Sequence, residues 1–170
     1  MSETAPEQEN PGPSSSEDRA GASERRMRQF SSRPLADDEV AAFLRDHSWG
    51  VLATSLDDVP YSVPVIYGYD GHVFYIIMIR GKKTGILEQN PRVCLTIPDV
   101  REPGMQWSSV VVSGEVEWVK DVKGWLSAII TIRRQRGNDA GASLKEAARL
   151  ARTRVARLVP TEITGRAKAE

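Results

Sequence analysis

The sequence predicts a mainly β domain with flanking helices, a closed antiparallel barrel. Three observations carry this. Short apolar runs of strand length recur at hairpin spacing between Gly50 and Trp118. Turn residues separate them, first Asp57-Asp58 and then Asp70-Gly71. Helical periodicity is confined to the flanks rather than inserted between every pair of strands, which argues against a parallel sheet.

The elements follow in order. Residues 1–33 are rich in Pro, Ser, Glu and Gly, with little to bury, and read as a disordered tail. Only Met27 and Phe30 could anchor it on a partner. Residues 34–46 form the first helix: Asp37 and Asp38 complement the dipole of its first turn, and Val40, Phe43 and Leu44 share a face. Residues 50–54 and 61–67 are the first hairpin, in which Pro64 marks an edge or a bulge because it has no N–H to give to a ladder. The third and fourth strands are residues 73–79 and 93–97. Residues 98–106 read as a polar loop, and 109–118 as the fifth strand, with Gly114 a bulge or a bend. Residues 120–136 turn helical. Ser143 and Glu146 form a capping box for a helix over 144–152, and a short last strand follows at 153–159. Residues 161–166 are left as a tail.

Composition excludes several function classes. The 170 residues suffice for one domain with a real core. Lys plus Arg and Asp plus Glu number 23 each, so the global charge draws the chain to neither nucleic acid nor a membrane surface. No segment approaches the roughly 20 apolar residues of a membrane span, and no apolar core of a signal peptide opens the chain. The one cysteine, Cys94, sits in an apolar run as a small buried hydrophobe, so a reducing cytoplasm is the expected compartment. His47 and His72 stand apart from any carboxylate or cysteine at ligand spacing, so no metal site is expected. No serine has a histidine placed to activate it, and no catalytic residue is assigned. Arg133, Arg134 and Arg136 end a helix, where the dipole favours them. Trp118 and Trp125 flank a strand-to-helix junction as packing or dimer-interface residues.

One stretch carries chemistry. After the apolar run 73–79 come Arg80, Gly81, Lys82, Lys83 and Thr84. Cations, a hydroxyl and free N–H groups at a helix start are what a phosphate needs, and Gly81 lets backbone approach it closely. An exposed basic turn without a ligand is the plain alternative. Val65, Ile66, Ile76 and Trp107 could form an apolar slot for a flat ring, with Ser108 or Ser109 at its edge. Strand alternation predicts that about half of these positions are ordinary core.

Four pieces in order, GVLAT with its hairpin to PYSVPV, then DGHVFYI, GKKTGILEQNPRVCL and WSSVVVSGEVEWV, resemble the FMN-binding split-barrel proteins related to pyridoxamine phosphate oxidase. The run WSSVVVSG and the ending EITGRA resemble the nitroimidazole-resistance branch most. The resemblance covers residues 35–166. It implies a six-stranded antiparallel Greek-key split barrel over 34–166, followed by a short tail at 167–170, and a homodimer with flavin at the subunit interface. The phosphate pair falls on Lys82 and Lys83, with Thr84 beside them. The ring contacts fall on Val63, Pro64, Val65 and Ile66 and on Tyr75, Ile76 and Ile77, and the ribityl and ring-edge contacts on Trp107, Ser108 and Ser109. The implied activity is that of an FMN-dependent oxidoreductase acting on a small organic substrate. A deazaflavin-dependent reductase of the same fold, or a flavin- or haem-binding module without turnover, is the alternative. Departures narrow this. Ser62 and Tyr67 stand where the oxidases carry further phosphate ligands, and the chain ends in GRAKAE without their Arg-and-His substrate segment, so vitamin B6 oxidation is not expected. Ile76 and Ile77 occupy positions where the resistance branch has histidine and a small polar residue, which speaks against nitro-group reduction.

Overall fold

The computed structural model describes residues 31–102, 106–137 and 153–168. Most of the expected tail and the expected helix at 144–152 lie outside these residues. The described elements, in chain order, are β1 (Ser32–Pro34), α1 (Asp37–Asp46), β2 (Trp49–Leu56), β3 (Val59–Tyr69), β4 (Phe74–Ile79), α2 (Lys82–Gln89), β5 (Arg92–Glu102), β6 (Gln106–Trp118), α3 (Val122–Gln135) and β7 (Thr153–Lys168). All pairings between strands are antiparallel. The sheet runs β1-β7-β4-β3-β2-β5-β6, and a further pairing joins β6 to β7. Six strands, β2 to β7, therefore close a barrel, and β1 adds a seventh strand on β7. The order β5-β2-β3-β4 is a Greek key: three hairpin-connected strands and a fourth that returns beside the first.

The turns obey local chemistry. Asp57 and Asp58 have φ of 51° and 61°, the paired left-handed geometry of a two-residue type I′ hairpin loop. At the next tip, the Asp70 carboxylate accepts from the backbone N–H groups of His72 and Val73, both at 2.9 Å. Pro64 behaves as expected of an edge residue, because β3 pairs with β4 only at Tyr67–Ile76, Gly68–Tyr75 and Tyr69–Phe74.

Alternation sorts side chains into two cores. Leu52, Val65, Tyr67, Phe74, Ile76, Met78, Leu95, Ile97, Val110, Val112 and Leu158 fill the barrel. Tyr75, Ala128, Ile132 and Val155 form a second cluster between the barrel wall and α3, with Ile77 and Trp125 packed on it. Gly68 makes this approach possible: a Cβ there would stand 2.6 Å from the Ile132 nitrogen. Leu44 of α1 joins the barrel core, and the Tyr67 hydroxyl donates to its carbonyl at 3.1 Å. Burial raises the Tyr67 phenol above its ordinary pKa. Cys94 is half-buried rather than buried.

Three expectations need correction. The polar loop expected at 98–106 is largely strand: β5 runs on to Glu102, with Pro98 opposite Ser109 and Val100 opposite Trp107. Its pairing with β2 covers Val51–Thr96, Leu52–Leu95 and Ala53–Cys94, so at Pro98 one edge is free and a missing N–H breaks no ladder bond there. The short last strand and the tail after it are one strand of 16 residues. It passes Pro160 by a bulge. Ser113 pairs with Glu162 and Gly114 with Pro160, leaving Thr161 unmatched. Pairing reaches Ser32 and Lys168, so both domain boundaries expected from the sequence fall inside paired strands. None of the described helices is long and apolar enough to cross a membrane.

Candidate functional site

The barrel is open where β3 and β4 part. Beyond the Tyr67–Ile76 pair the two strands are unbonded, leaving residues 59–66 of β3 on one lip and residues 77–79 of β4 on the other. Ile66 is 44% exposed and Ile79 68%, so both lips present apolar side chains. At the end of the β4 lip the chain turns through Arg80 and Gly81 into α2.

Local interactions fix that turn. The Thr84 hydroxyl accepts from the Gly81 N–H at 2.9 Å and donates to the Gly81 carbonyl at 2.8 Å. Thr84 is buried, and its hydroxyl holds the turn closed rather than facing outward. Gly81 has an extended backbone, φ 166°. The helical ladder begins with the Gly85 N–H donating to the Gly81 carbonyl at 3.1 Å, so the N–H groups of Lys82, Lys83 and Thr84 precede it. No acid lies in the first turn of α2. Arg80 and Lys82 are exposed and Lys83 is half-buried. The positive end of the helix and three cationic residues therefore lie next to one another in the chain at the end of the β4 lip, an arrangement that suits an anion.

The rest of α2 is anchored. The Asn90 side chain donates to the Ser55 carbonyl of β2 at 2.9 Å. Glu88 forms an ion pair with Arg154 of β7, whose guanidinium lies 3.7 Å from the Trp118 ring centroid. Lys82 Nζ sits 4.7 Å from the centroid of the Tyr61 ring on β3, directly across the mouth of the split. Tyr61 pairs with Thr54 of β2.

The sequence-expected residues divide into three groups. Val63, Pro64, Val65 and Ile66 lie along the β3 lip, with Pro64 and Ile66 outward, Val65 in the barrel core and Val63 packed against it. Lys82, Lys83 and Thr84 stand at the corner. These two groups share one split. The remainder do not join them from within one chain. Ile76 is fully buried inside the barrel, while Tyr75 and Ile77 lie under α3. Burial, followed by the Asp70 carboxylate, raises the Tyr75 phenol's pKa. Trp107, Ser108 and Ser109 open β6 opposite Val100, Asp99 and Pro98. That is the far end of the barrel, some five residues along the strands from Tyr61, or about 17 Å.

Sequence reasoning missed Tyr61, Thr54 and Ile79 as parts of this corner. The one available signal was the place of Tyr61 on the expected second strand, facing a lysine turn that only the tertiary fold brings near. The Thr54 hydroxyl is the one buried side-chain polar atom without a hydrogen-bond partner among the described residues.

Comparison with known proteins agrees with this architecture. The sequence profile of the pyridoxamine 5'-phosphate oxidase family matches residues 36–167. An uncharacterised protein of Rhizobium meliloti (strain 1021) is 36% identical over 73 residues, which cover 43% of this chain and 48% of that one, so the match spans about half of that relative's length. The crystal structure of an FAD-binding protein from Mesorhizobium loti superposes with a TM-score of 0.66 at 26% identity, covering 82% of this chain and 100% of that one. A candidate 5-nitroimidazole antibiotic resistance protein of Bacteroides thetaiotaomicron superposes with a TM-score of 0.67 at 23% identity, over 81% and 87% of the two chains. The barrel is thus a split barrel in its details as well as its outline, and the chain belongs to the pyridoxamine 5'-phosphate oxidase family.

Proposed function

We propose that this chain is an FMN-dependent oxidoreductase that holds the flavin in the split between β3 and β4 and acts on a small organic substrate. One observation carries the reading: Arg80, Lys82 and Lys83 lead into the N-terminus of α2, with no acid in that turn, next to the stretch where β3 and β4 are unpaired and Ile66 and Ile79 are exposed. A flavin phosphate carries close to two negative charges and its ring system is flat and largely apolar, so the two parts of the ligand match the two parts of the split.

The protein's own tasks follow from the geometry. Lys82 and Lys83 bind the phosphate, and Thr84 keeps the Gly81 turn shut so that the N–H groups stay aimed at it. Pro64, Ile66 and Ile79 shed water from the ring. The flavin supplies hydride transfer when bound. The FAD-binding relative from Mesorhizobium loti supports a flavin as the ligand; a diphosphate suits the same corner, and the family resemblance favours the monophosphate.

Trp107, Ser108 and Ser109 enter the site only from a second subunit, because within one chain they lie at the opposite end of the barrel. The reading therefore includes a homodimer with flavin at its interface. Purified protein should release a yellow chromophore on denaturation, with the mass of FMN. A colourless protein that gains no absorbance on adding FMN, FAD or a deazaflavin overturns the proposal, and tighter binding of the deazaflavin replaces the cofactor.

A second reading, flavin binding without turnover, is favoured by the side chains of the lips. Pro64, Ile66 and Ile79, the exposed apolar side chains of the lips, offer no group for proton transfer. Bound flavin that neither NADH nor NADPH nor a reductase partner can reduce would select it.

A further inference from the structure

Lys82 is held in place by an aromatic face rather than by a carboxylate. Its ammonium lies 4.7 Å from the centroid of the Tyr61 ring, within the range of a cation–π contact. We propose that Tyr61 is a positioning residue. Its ring holds Lys82 at the mouth of the split, ready for a phosphate, and so makes the site selective for phosphorylated flavins over the phosphate-free ring system. The inference rests on the flavin reading above and deepens it.

Four features support it. A lysine has a flexible four-carbon stem, and pinning it costs rotamer freedom. A ring that holds the ammonium before the ligand arrives removes part of that cost from binding. The ring face occupies one side of the ammonium and leaves N–H donors on the other, so the charge is oriented without being neutralised. A carboxylate partner would have cancelled it, and the first turn of α2 has none.

The ring stands on a paired strand. Tyr61 is half-buried on β3, in register with Thr54 of β2. Directly opposed residues of an antiparallel pair project from the same face, so the Thr54 side chain shares the face on which Tyr61 meets Lys82. Thr54 is 6% exposed, and its hydroxyl has no partner. A buried hydroxyl left unsatisfied is costly in a folded chain. A lysine parked on a ring makes a prepared anion seat out of an otherwise exposed turn.

The test is a titration of FMN and of riboflavin into wild type, Tyr61→Phe, Tyr61→Leu and Lys82→Ala, followed by flavin fluorescence, with melting curves to confirm folding. Removing a cation–π contact of ordinary strength should weaken FMN binding about two- to five-fold in Tyr61→Leu. Riboflavin affinity should stay at the wild-type value, and Tyr61→Phe, which keeps the ring, should bind both as wild type does. Tyr61→Met takes the place of the leucine variant if that one fails to fold. Wild-type or tighter FMN binding by the aliphatic variant overturns the inference, since the ring would then be idle or a competitor for Lys82. Equal losses for FMN and riboflavin overturn it too, because the ring would only be shaping the cleft. A wild type that binds neither ligand removes the flavin reading itself and this inference with it, whereas wild-type binding that depends on Lys82 but not on Tyr61 removes the inference alone.

Discussion

In the proposed anion site Lys82 and Lys83 act as charges, and Thr84 acts as a clasp on the Gly81 turn. Substituting both lysines by alanine should lower FMN affinity about tenfold to a hundredfold for each charge-assisted hydrogen bond removed. The melting temperature should stay unchanged, because both side chains lie outside the cores; fluorescence titration and calorimetry read the two effects. A second residue-scale prediction concerns Glu39. Its carboxylate takes a bidentate pair from Arg33, at 2.8 Å twice, and accepts from the Ala36 N–H at 2.8 Å. The Arg33 hydrogen bond, then the Ala36 N–H, lowers its pKa from 4.5 to about 2. A depressed carboxylate stabilises the fold above its unfolded pKa, and that contribution fades as pH falls through the folded value. The clamp on β1 should therefore hold at neutral pH and be lost between pH 4.5 and about 2. Amide exchange at Leu35, whose N–H donates to the Gly165 carbonyl at 2.9 Å, should accelerate over that window in wild type. In Glu39→Gln it should be fast throughout.

At the scale of elements, the β6–β7 ladder closes the barrel, and it does so around one glycine. A Cβ at Gly114 would stand 2.2 Å from the Val159 carbonyl oxygen and 3.0 Å from the Pro160 Cα. Neither neighbour is a flexible side-chain tip. Gly114→Ala should cost about 1–3 kcal/mol or more, as overpacking against rigid atoms does, measured by urea unfolding. An irregularity, a bulge or a bend, was legible at Gly114, but that the extra residue is Thr161 on the partner strand was not. Pro160 reads as the end of a strand when the ladder that bridges it is unknown, and Pro98 reads as a loop for the same reason. The α3 helix shows the converse. Its periodicity was plain, yet its docking depends on Gln135, a polar residue that apolar patterning passes over. The Gln135 side-chain oxygen accepts from the Tyr69 N–H at 2.5 Å, and its nitrogen donates to the carbonyls of Leu44, at 2.6 Å, and His47.

Across the molecule, an outward row crosses the sheet through Pro64, Val51, Thr96 and Val111, paired in succession across β3, β2, β5 and β6. Trp49, 49% exposed, and Ile66 form the next outward pair at the same edge. A small-residue, apolar face of this kind beside the split suits a second copy of the chain, which would bring Trp107, Ser108 and Ser109 to the flavin. Val111→Glu should then convert a dimer into a monomer by analytical ultracentrifugation and weaken FMN binding in the same protein. A variant that stays dimeric, or a monomer with full affinity, would separate the flavin site from the interface.

The strands, the hairpin tips and the basic turn were legible in the sequence, because each is set by residues near one another: alternation along a strand, left-handed Asp-Asp and Asp-Gly turns, and lysines after a glycine. Which way a strand residue faces relative to the cleft was not. Ile76 matched a ring-contact position and is buried in the barrel; Tyr61 was given no role and meets Lys82 across the split. Those outcomes belong to the fold as a whole, because β4 leaves β3 after Ile76 while it stays paired with β7 as far as Ile79, and such long-range pairings leave no periodic mark on either strand.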